Sequence, residues 1–482
     1  MNKTTTMNKQ NKLNRQTRQN RLNRLNRQTR QRRLPARIKL FFVFLTVFIA
    51  APFVASSNLY GKSGSSKIPM LTIGIRTRRE KVHIWGTKGF RVKDPATNRN
   101  LFARKKSTKL LITVHMKGFM IDGFGVKSKV TIEPLKGSLL YVDGKPYRGS
   151  FIIDEDRFGK ITVINHIDVE KYLYGVIKSE MLINSPMEAL KAQAVIARTF
   201  AIKYKDKFLK SRGYGLTDDT SSQVYIGVTG EDPRGTKAVD NTKGLCLTSY
   251  NKLIQCYYHA ACGGWTLNNE DAWGGTARPY LRGIKCGYCT ESYGHDWDLT
   301  LSYTTILEKL LEQGKRLGRI TSIRSIRDDE SQRAIVLVIE NQKGQLRILG
   351  NLFRLAIGPT VLRSSFFNIE ENDNQLTVPT EDWQSNIGKL DGNPDDKSDD
   401  NQSENHLLDR TKAQQSDLKM EAMIGNYLEN INEPDQLKIH GAGSGHGVGL
   451  CQSGARGQAK LDRTFKQILE FYYVNTKVKS FY

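Results

Sequence analysis

The first 39 residues contain no acidic side chain and no aromatic ring, yet they hold thirteen Lys or Arg. Half of the chain's net charge of +26 therefore sits in this tail. Apolar residues are too few to build a core, so the tail is expected to be disordered when free. Such a run can neutralise phosphates, but it lacks the rings on which single-stranded bases stack, and a nucleic-acid role is not expected. Long apolar runs are equally scarce. Residues 40–55, LFFVFLTVFIAAPFVA, form one of 16 residues, short of the roughly 20 needed to span a bilayer and interrupted by Pro52. Arginines before it and small residues after it read as a signal sequence, either cleaved or kept as an anchor. The remainder is then exported to the periplasm or cell envelope. A P-loop is excluded as well. Gly441, Gly443, Gly445, Gly447 and Gly449 alternate with small residues, but no Lys-Ser or Lys-Thr follows.

What is present begins after a Gly/Ser/Lys linker at 57–67. From 68 to about 165 short β-branched runs such as KVHIWG, KLLITVHM and KITVIN alternate with turn residues, and Asp143-Gly144 marks a hairpin. Residues 168–204 then turn helical. Asp168 is a candidate N-cap for a stripe of Val169, Tyr172, Leu173, Val176 and Ile177. Ser185, Pro186 and Glu188 suggest N-cap, first helical residue and capping box for a second helix, whose inward face carries Met187, Leu190, Ala194, Ala197 and Ala201. Glu180 is expected between the helix bodies with apolar neighbours on both sides. A carboxyl held against apolar surface has its charged form disfavoured and can serve as a general acid near neutral pH. The alternative is a solvated loop glutamate. Residues 300–378 read as an α+β segment, with a helix at 304–318 and three strands. Residues 380–436 turn polar and acidic and are expected to be a disordered insertion looping out between two paired strands. A closing amphipathic helix is expected from Phe465 to Tyr473.

SEMLINSPMEALKAQAVIARTFA at 179–201, YYHAACGGWTLNNEDAWGG at 257–275 and GAGSGHGVGLCQSGARGQA at 441–459 are similar to three ordered motifs of the stage II sporulation protein D / amidase enhancer (SpoIID/LytB) family. The resemblance runs from about residue 68 to the C-terminus, apart from the insertion. It implies an α+β fold, with an N-terminal β-rich region (68–165) before a mixed helix/strand core (166–379 and 437–482). It also implies a peptidoglycan-active protein. Enzymatic members are lytic transglycosylases, for which the resemblance makes Glu180 the catalytic acid. One carboxyl would protonate the leaving oxygen and then take the proton of the sugar's own 6-hydroxyl, unlike the two-carboxylate glycosidases. Gln193, Arg198, Gln223, His446 and Gln452 are the candidate substrate contacts, with Arg198 equally suited to pairing a helix carboxylate. Trp265 and Trp273 offer flat faces for sugar rings or core packing. Glycan strands are the expected partner, with a wall amidase or other envelope protein as a further one. The chain departs from the family pattern at Leu182 and Ser185, where Pro and Trp are usual. Some relatives are non-catalytic amidase enhancers, and that reading stays open.

No cofactor is required by this chemistry. The loop 211–227, which in some members binds zinc, carries no cysteine or histidine here. Of six cysteines, Cys256, Cys262, Cys286 and Cys289 cluster in sequence. Cys286-Gly-Tyr-Cys289 has the spacing of a zinc knuckle, which Cys262 and His259 or His295 would complete. A disulfide, or plain buried thiols, are the alternatives. Cys451 stands apart in the sequence and replaces a residue that is usually Ser in the family, which argues against an essential role for it.

Overall fold

The computed structural model describes residues 67–106, 108–122, 125–289, 295–369 and 436–482. The basic tail, the apolar segment, all of the linker but Lys67, and the insertion up to residue 435 lie outside the described residues. Among the described residues no helix is long and apolar enough to cross a membrane.

The β-rich region folds because its strands alternate. Lys81–Gly86 buries every second position and Lys129–Pro134 buries Val130 and Ile132, the period of a sheet with one covered face. A seven-stranded sheet runs in the order Leu216–Thr217, Met70–Arg79, Ile161–Asp168, Ser150–Glu155, Lys129–Pro134, Phe90–Lys93, Asn100–Arg104. A six-stranded sheet centres on Leu140–Val142, Lys81–Gly86 and Leu110–His115. Ile73, Val92, Ile132 and Ile153 of the first sheet and Ile84, Ile112 and Val142 of the second belong to one buried core. The expected hairpin is present: Asp143 and Gly144 both take positive φ (48° and 82°) between the paired strands Leu140–Val142 and Lys145–Tyr147.

The strand Ile161–Asp168 runs directly into the helix Val169–Tyr174, and the Asp168 carboxylate caps it by accepting from Lys171 N–H at 3.0 Å. One turn later Ile177–Glu180 forms a short helix. Glu180 is thus the last residue of a helical turn rather than a loop residue between helices. The long helix Met187–Lys203 follows, buried through Leu190, Ala194, Ala197 and Ala201. Its expected capping box does not form. Pro186 is extended (ψ 147°), so the helix begins one residue later, and the Ser185 hydroxyl has no partner. Glu188 instead bonds Lys191 and accepts the N–H of Phe465, serving the start of the closing helix Phe465–Tyr472. That helix has its own capping box of Thr464 and Gln467.

A second core gathers Trp297, Ile306, Leu310, Leu337, Phe353 and Ile439. The helix here is Tyr303–Glu312, shorter than expected because the chain turns at Gly314 (φ 73°). Beside it lie the meander Ile320–Arg327, Ala334–Asn341 and Gly344–Leu349, and a sheet in which Gln436–Ala442 pairs with both Asp296–Ser302 and Phe367–Ile369. The strands on either side of residues 370–435 are therefore antiparallel partners. The fold is α+β.

Candidate active site

Glu180 is half-buried, and three separate segments hold it in addition to its own turn. Val224 N–H donates to its Oε1 at 2.7 Å, and the Tyr258 hydroxyl donates to the same carboxyl. The Gln452 amide donates to its main-chain carbonyl at 2.6 Å. Its own N–H closes the helical turn on Val176. Burial raises the Glu180 pKa above the ordinary carboxylate range, while the two donors pull the other way. Behind Tyr258 the polarity continues: Gln223 Nε2 donates to the Tyr258 hydroxyl at 3.3 Å, and the Tyr172 hydroxyl donates to Gln223 Oε1 at 3.4 Å. Every link in this line donates toward the carboxyl. Burial and the Glu180 charge keep the Tyr258 phenol protonated well beyond its usual range. Tyr258 and Val224 are partners of Glu180 that the sequence did not single out, since neither lies near Glu180 in the chain.

The five candidate substrate contacts separate accordingly. Gln452 is half-buried and touches both the Glu180 backbone and Gln193 Oε1 (3.2 Å), so it holds the Glu180 turn in place. Gln193 and Gln223 are fully enclosed and do not face a ligand. Gln223 acts through Tyr258, and Gln193 through Gln452. Arg198 is not a substrate contact. It is completely buried and ion-paired to Glu170 at 2.7 Å, with further bonds to the carbonyls of Val239 and Leu245 and to the Thr242 hydroxyl. Glu170 also accepts from Gly244 N–H and the Tyr482 hydroxyl. This ties the first helix to the C-terminus.

His446 donates from Nε2 to the Tyr258 carbonyl (3.0 Å) and accepts Val448 N–H at Nδ1 (3.1 Å), which fixes a neutral tautomer. Burial, then Arg354, push its pKa down to about 3. It therefore holds the segment carrying Tyr258 and does not serve as an acid. Its ring packs against Trp273 (5.0 Å between centroids) and Tyr257 (6.2 Å). Trp273 and Trp265 are both half-buried. The glycine repeat has a local cause. Tyr258–His259 pairs in parallel with Leu450–Cys451, and a Cβ at Gly449 (φ 71°) would lie 2.2 Å from the Tyr257 carbonyl oxygen.

The cysteines depart from expectation. His259 is buried but turns Nδ1 to the Val448 carbonyl (3.2 Å), and His295 turns Nδ1 to Asp296 (2.8 Å). Neither completes the cysteine cluster. The fourth member is Cys451: the sulfurs of Cys262, Cys286, Cys289 and Cys451 all lie within 4.8 Å of one another and are buried. Cys256, near them in sequence, lies elsewhere, and burial pushes its thiol well above the ordinary range. No spacing rule reaches Cys451, 189 positions from Cys262.

An α+β protein with one half-buried carboxyl, raised in pKa and held by donors from distant segments, is the class that fold and site define. Residues 157–249 match the family model described as stage II sporulation protein. An uncharacterized protein of Brachyspira hyodysenteriae is 29% identical over 76% of this chain and 80% of its own length. The amidase enhancer of Bacillus subtilis is 28% identical over 64% of this chain, which spans only 40% of that relative. Stage II sporulation protein D of Bacillus subtilis is 25% identical over 65% of this chain and 75% of its own length. The matched segment and these relatives support the SpoIID/LytB family for this chain.

Proposed function

We propose that the chain is a lytic transglycosylase that cleaves the β-1,4 bond between N-acetylmuramic acid and N-acetylglucosamine, with Glu180 as acid and then base. The family's sporulation and cell-wall role supports a glycan substrate. The observation that carries the chemistry is the Glu180 carboxyl, raised by burial yet gripped by two donors. Protonated, it gives its proton to the bridging oxygen as the C1–O4 bond breaks. Left as a carboxylate, it is stabilised by Val224 N–H and Tyr258. It then takes the proton of the 6-hydroxyl, whose oxygen closes on C1 to give the 1,6-anhydro product without water. Trp273, half-buried beside the His446 ring, offers a face for a sugar. No cofactor enters these steps. The reading carries with it an exported chain that residues 39–56 hold at the membrane.

The test incubates the purified full chain, wild type and Glu180→Gln, with denuded glycan strands and reads the products by mass spectrometry. Products ending in 1,6-anhydro-muramic acid from wild type alone are expected. Glycan binding by both proteins with cleavage by neither refutes the enzyme and leaves the amidase-enhancer reading suggested by the Bacillus relative.

A further inference from the structure

The Cys262, Cys286, Cys289 and Cys451 sulfurs lie mutually within 4.8 Å, which is the arrangement of a tetrahedron rather than of two separated pairs. Four thiolates at the usual zinc–sulfur distance of about 2.3 Å stand about 3.8 Å apart. Cys262 and Cys289 are already 3.4 Å apart. Donors converge on the sulfurs as they would on anions. Cys262 N–H and Gly454 N–H both point at Cys451 Sγ (3.2 Å each), and the Tyr472 hydroxyl lies 3.1 Å from Cys286 Sγ.

A second observation is independent of these distances. Arg333 is fully buried, and among the described residues no carboxylate pairs with it. Its guanidinium donates to the carbonyls of Cys262 and Trp265 and to the Ser365 hydroxyl, which places it directly beside the cysteine cluster. A buried cation without a counter-charge is expensive. Two disulfides or four thiols would be neutral and leave Arg333 uncompensated. Four thiolates around a divalent ion carry a net charge of −2, since four protons leave to solvent as one ion binds.

We propose that Cys262, Cys286, Cys289 and Cys451 bind one structural zinc ion, with buried Arg333 as its counter-charge. A closed S4 set suits a structural zinc and leaves no open position for chemistry. The ion joins three stretches of chain. Cys262 lies four positions after Tyr258, and Cys451 immediately precedes Gln452, so it fixes two of the segments that hold Glu180. The site does not depend on the transglycosylase reading.

The test measures metal in the full chain, purified without chelator or added metal, by plasma mass spectrometry, alongside intact mass under non-reducing conditions. One zinc per chain is expected, and replacement by Co2+ should give the intense thiolate-to-cobalt and d–d absorption of a tetrahedral S4 site. Cys451→Ser should lose or sharply weaken the zinc and change the cobalt spectrum. His259→Gln and Cys246→Ser, the latter at a buried cysteine outside the cluster, should retain both. A metal-free chain four hydrogens lighter than its reduced mass shows two disulfides and overturns the proposal. A metal-free chain with four free thiols, iron in place of zinc, or a cobalt spectrum sensitive to His259→Gln but not to Cys451→Ser overturns it too.

Discussion

Tyr258→Phe isolates the hydrogen bond from the tyrosine hydroxyl to Glu180, the acid of the proposed reaction. The substitution keeps the half-buried ring and removes only the hydroxyl, which donates to Glu180 and accepts from Gln223 Nε2. A hydrogen bond to a charged group contributes about 1.5–3 kcal/mol, and about 1.4 kcal/mol corresponds to one pH unit. Val224 N–H remains on Oε1 at 2.7 Å, and solvent reaches a half-buried carboxyl, so the lower end applies. The sign follows from which form the donor favours. Tyr258 stabilises the carboxylate, so its loss lets Glu180 keep its proton to higher pH. An acid that must start protonated gives a rate that falls as pH rises through its pKa. In Tyr258→Phe that falling limb should move to higher pH by about one unit, while the maximal rate drops because the carboxylate that must act as base has lost a donor. The assay follows release of 1,6-anhydro ends from denuded strands between pH 5 and 9 at saturating substrate (a range chosen to bracket the expected limb). An unmoved limb would break the link between Tyr258 and the acid. A limb displaced to lower pH would show that the hydroxyl favours the protonated carboxyl, contrary to the geometry.

Other residues give sharp outcomes. Arg198→Met should leave Glu170 buried and half-partnered at a cost of about 3–5 kcal/mol, and adding Glu170→Gln should recover much of it. Urea unfolding measures both. Unchanged stability with weaker glycan binding would return Arg198 to the substrate. Asp271 is buried, and its pKa is raised, chiefly by burial, to about 6. The native state therefore holds this proton more tightly than the unfolded chain does. The stability from Asp271 is full below pH 4 and is lost as pH climbs through 6, by up to about 3 kcal/mol. Asp271→Asn, which can still accept from Asn268, should match wild type near pH 4 and exceed it at pH 7.5 in the urea midpoint. A midpoint difference that does not change with pH would contradict the buried-acid assignment.

These residues also mark how far the chain could be read before its structure. Features closed within a few residues were legible. Asp168 caps the next helix, Asp143-Gly144 turns a hairpin, and the change in composition after residue 379 marks a stretch whose flanking strands pair with each other. Even local grammar failed where one torsion opposed it: with Pro186 extended, Ser185 cannot reach the helix, and Glu188 is free to meet Phe465, 277 positions away. Side-chain chemistry left Arg198 undecided between glycan and carboxylate, because its partner Glu170 lies 28 positions earlier on another helix. The site itself is built almost wholly from such distant closures. Glu180 could be singled out by its motif, but its pKa is set by Val224 and Tyr258, and its backbone is held by Gln452, 272 positions on. Cys451 follows the same rule. Its neighbours in the chain gave no reason to join it to a Cys-x-x-Cys pair, whereas the parallel pairing of Leu450–Cys451 with Tyr258–His259 brings it there. One short β-ladder thus sets both the acid's hydrogen-bond donor and the fourth sulfur. If the four cysteines hold a metal as proposed, chelating it should therefore change the Glu180 pH profile, because the same ladder carries both Tyr258 and Cys451.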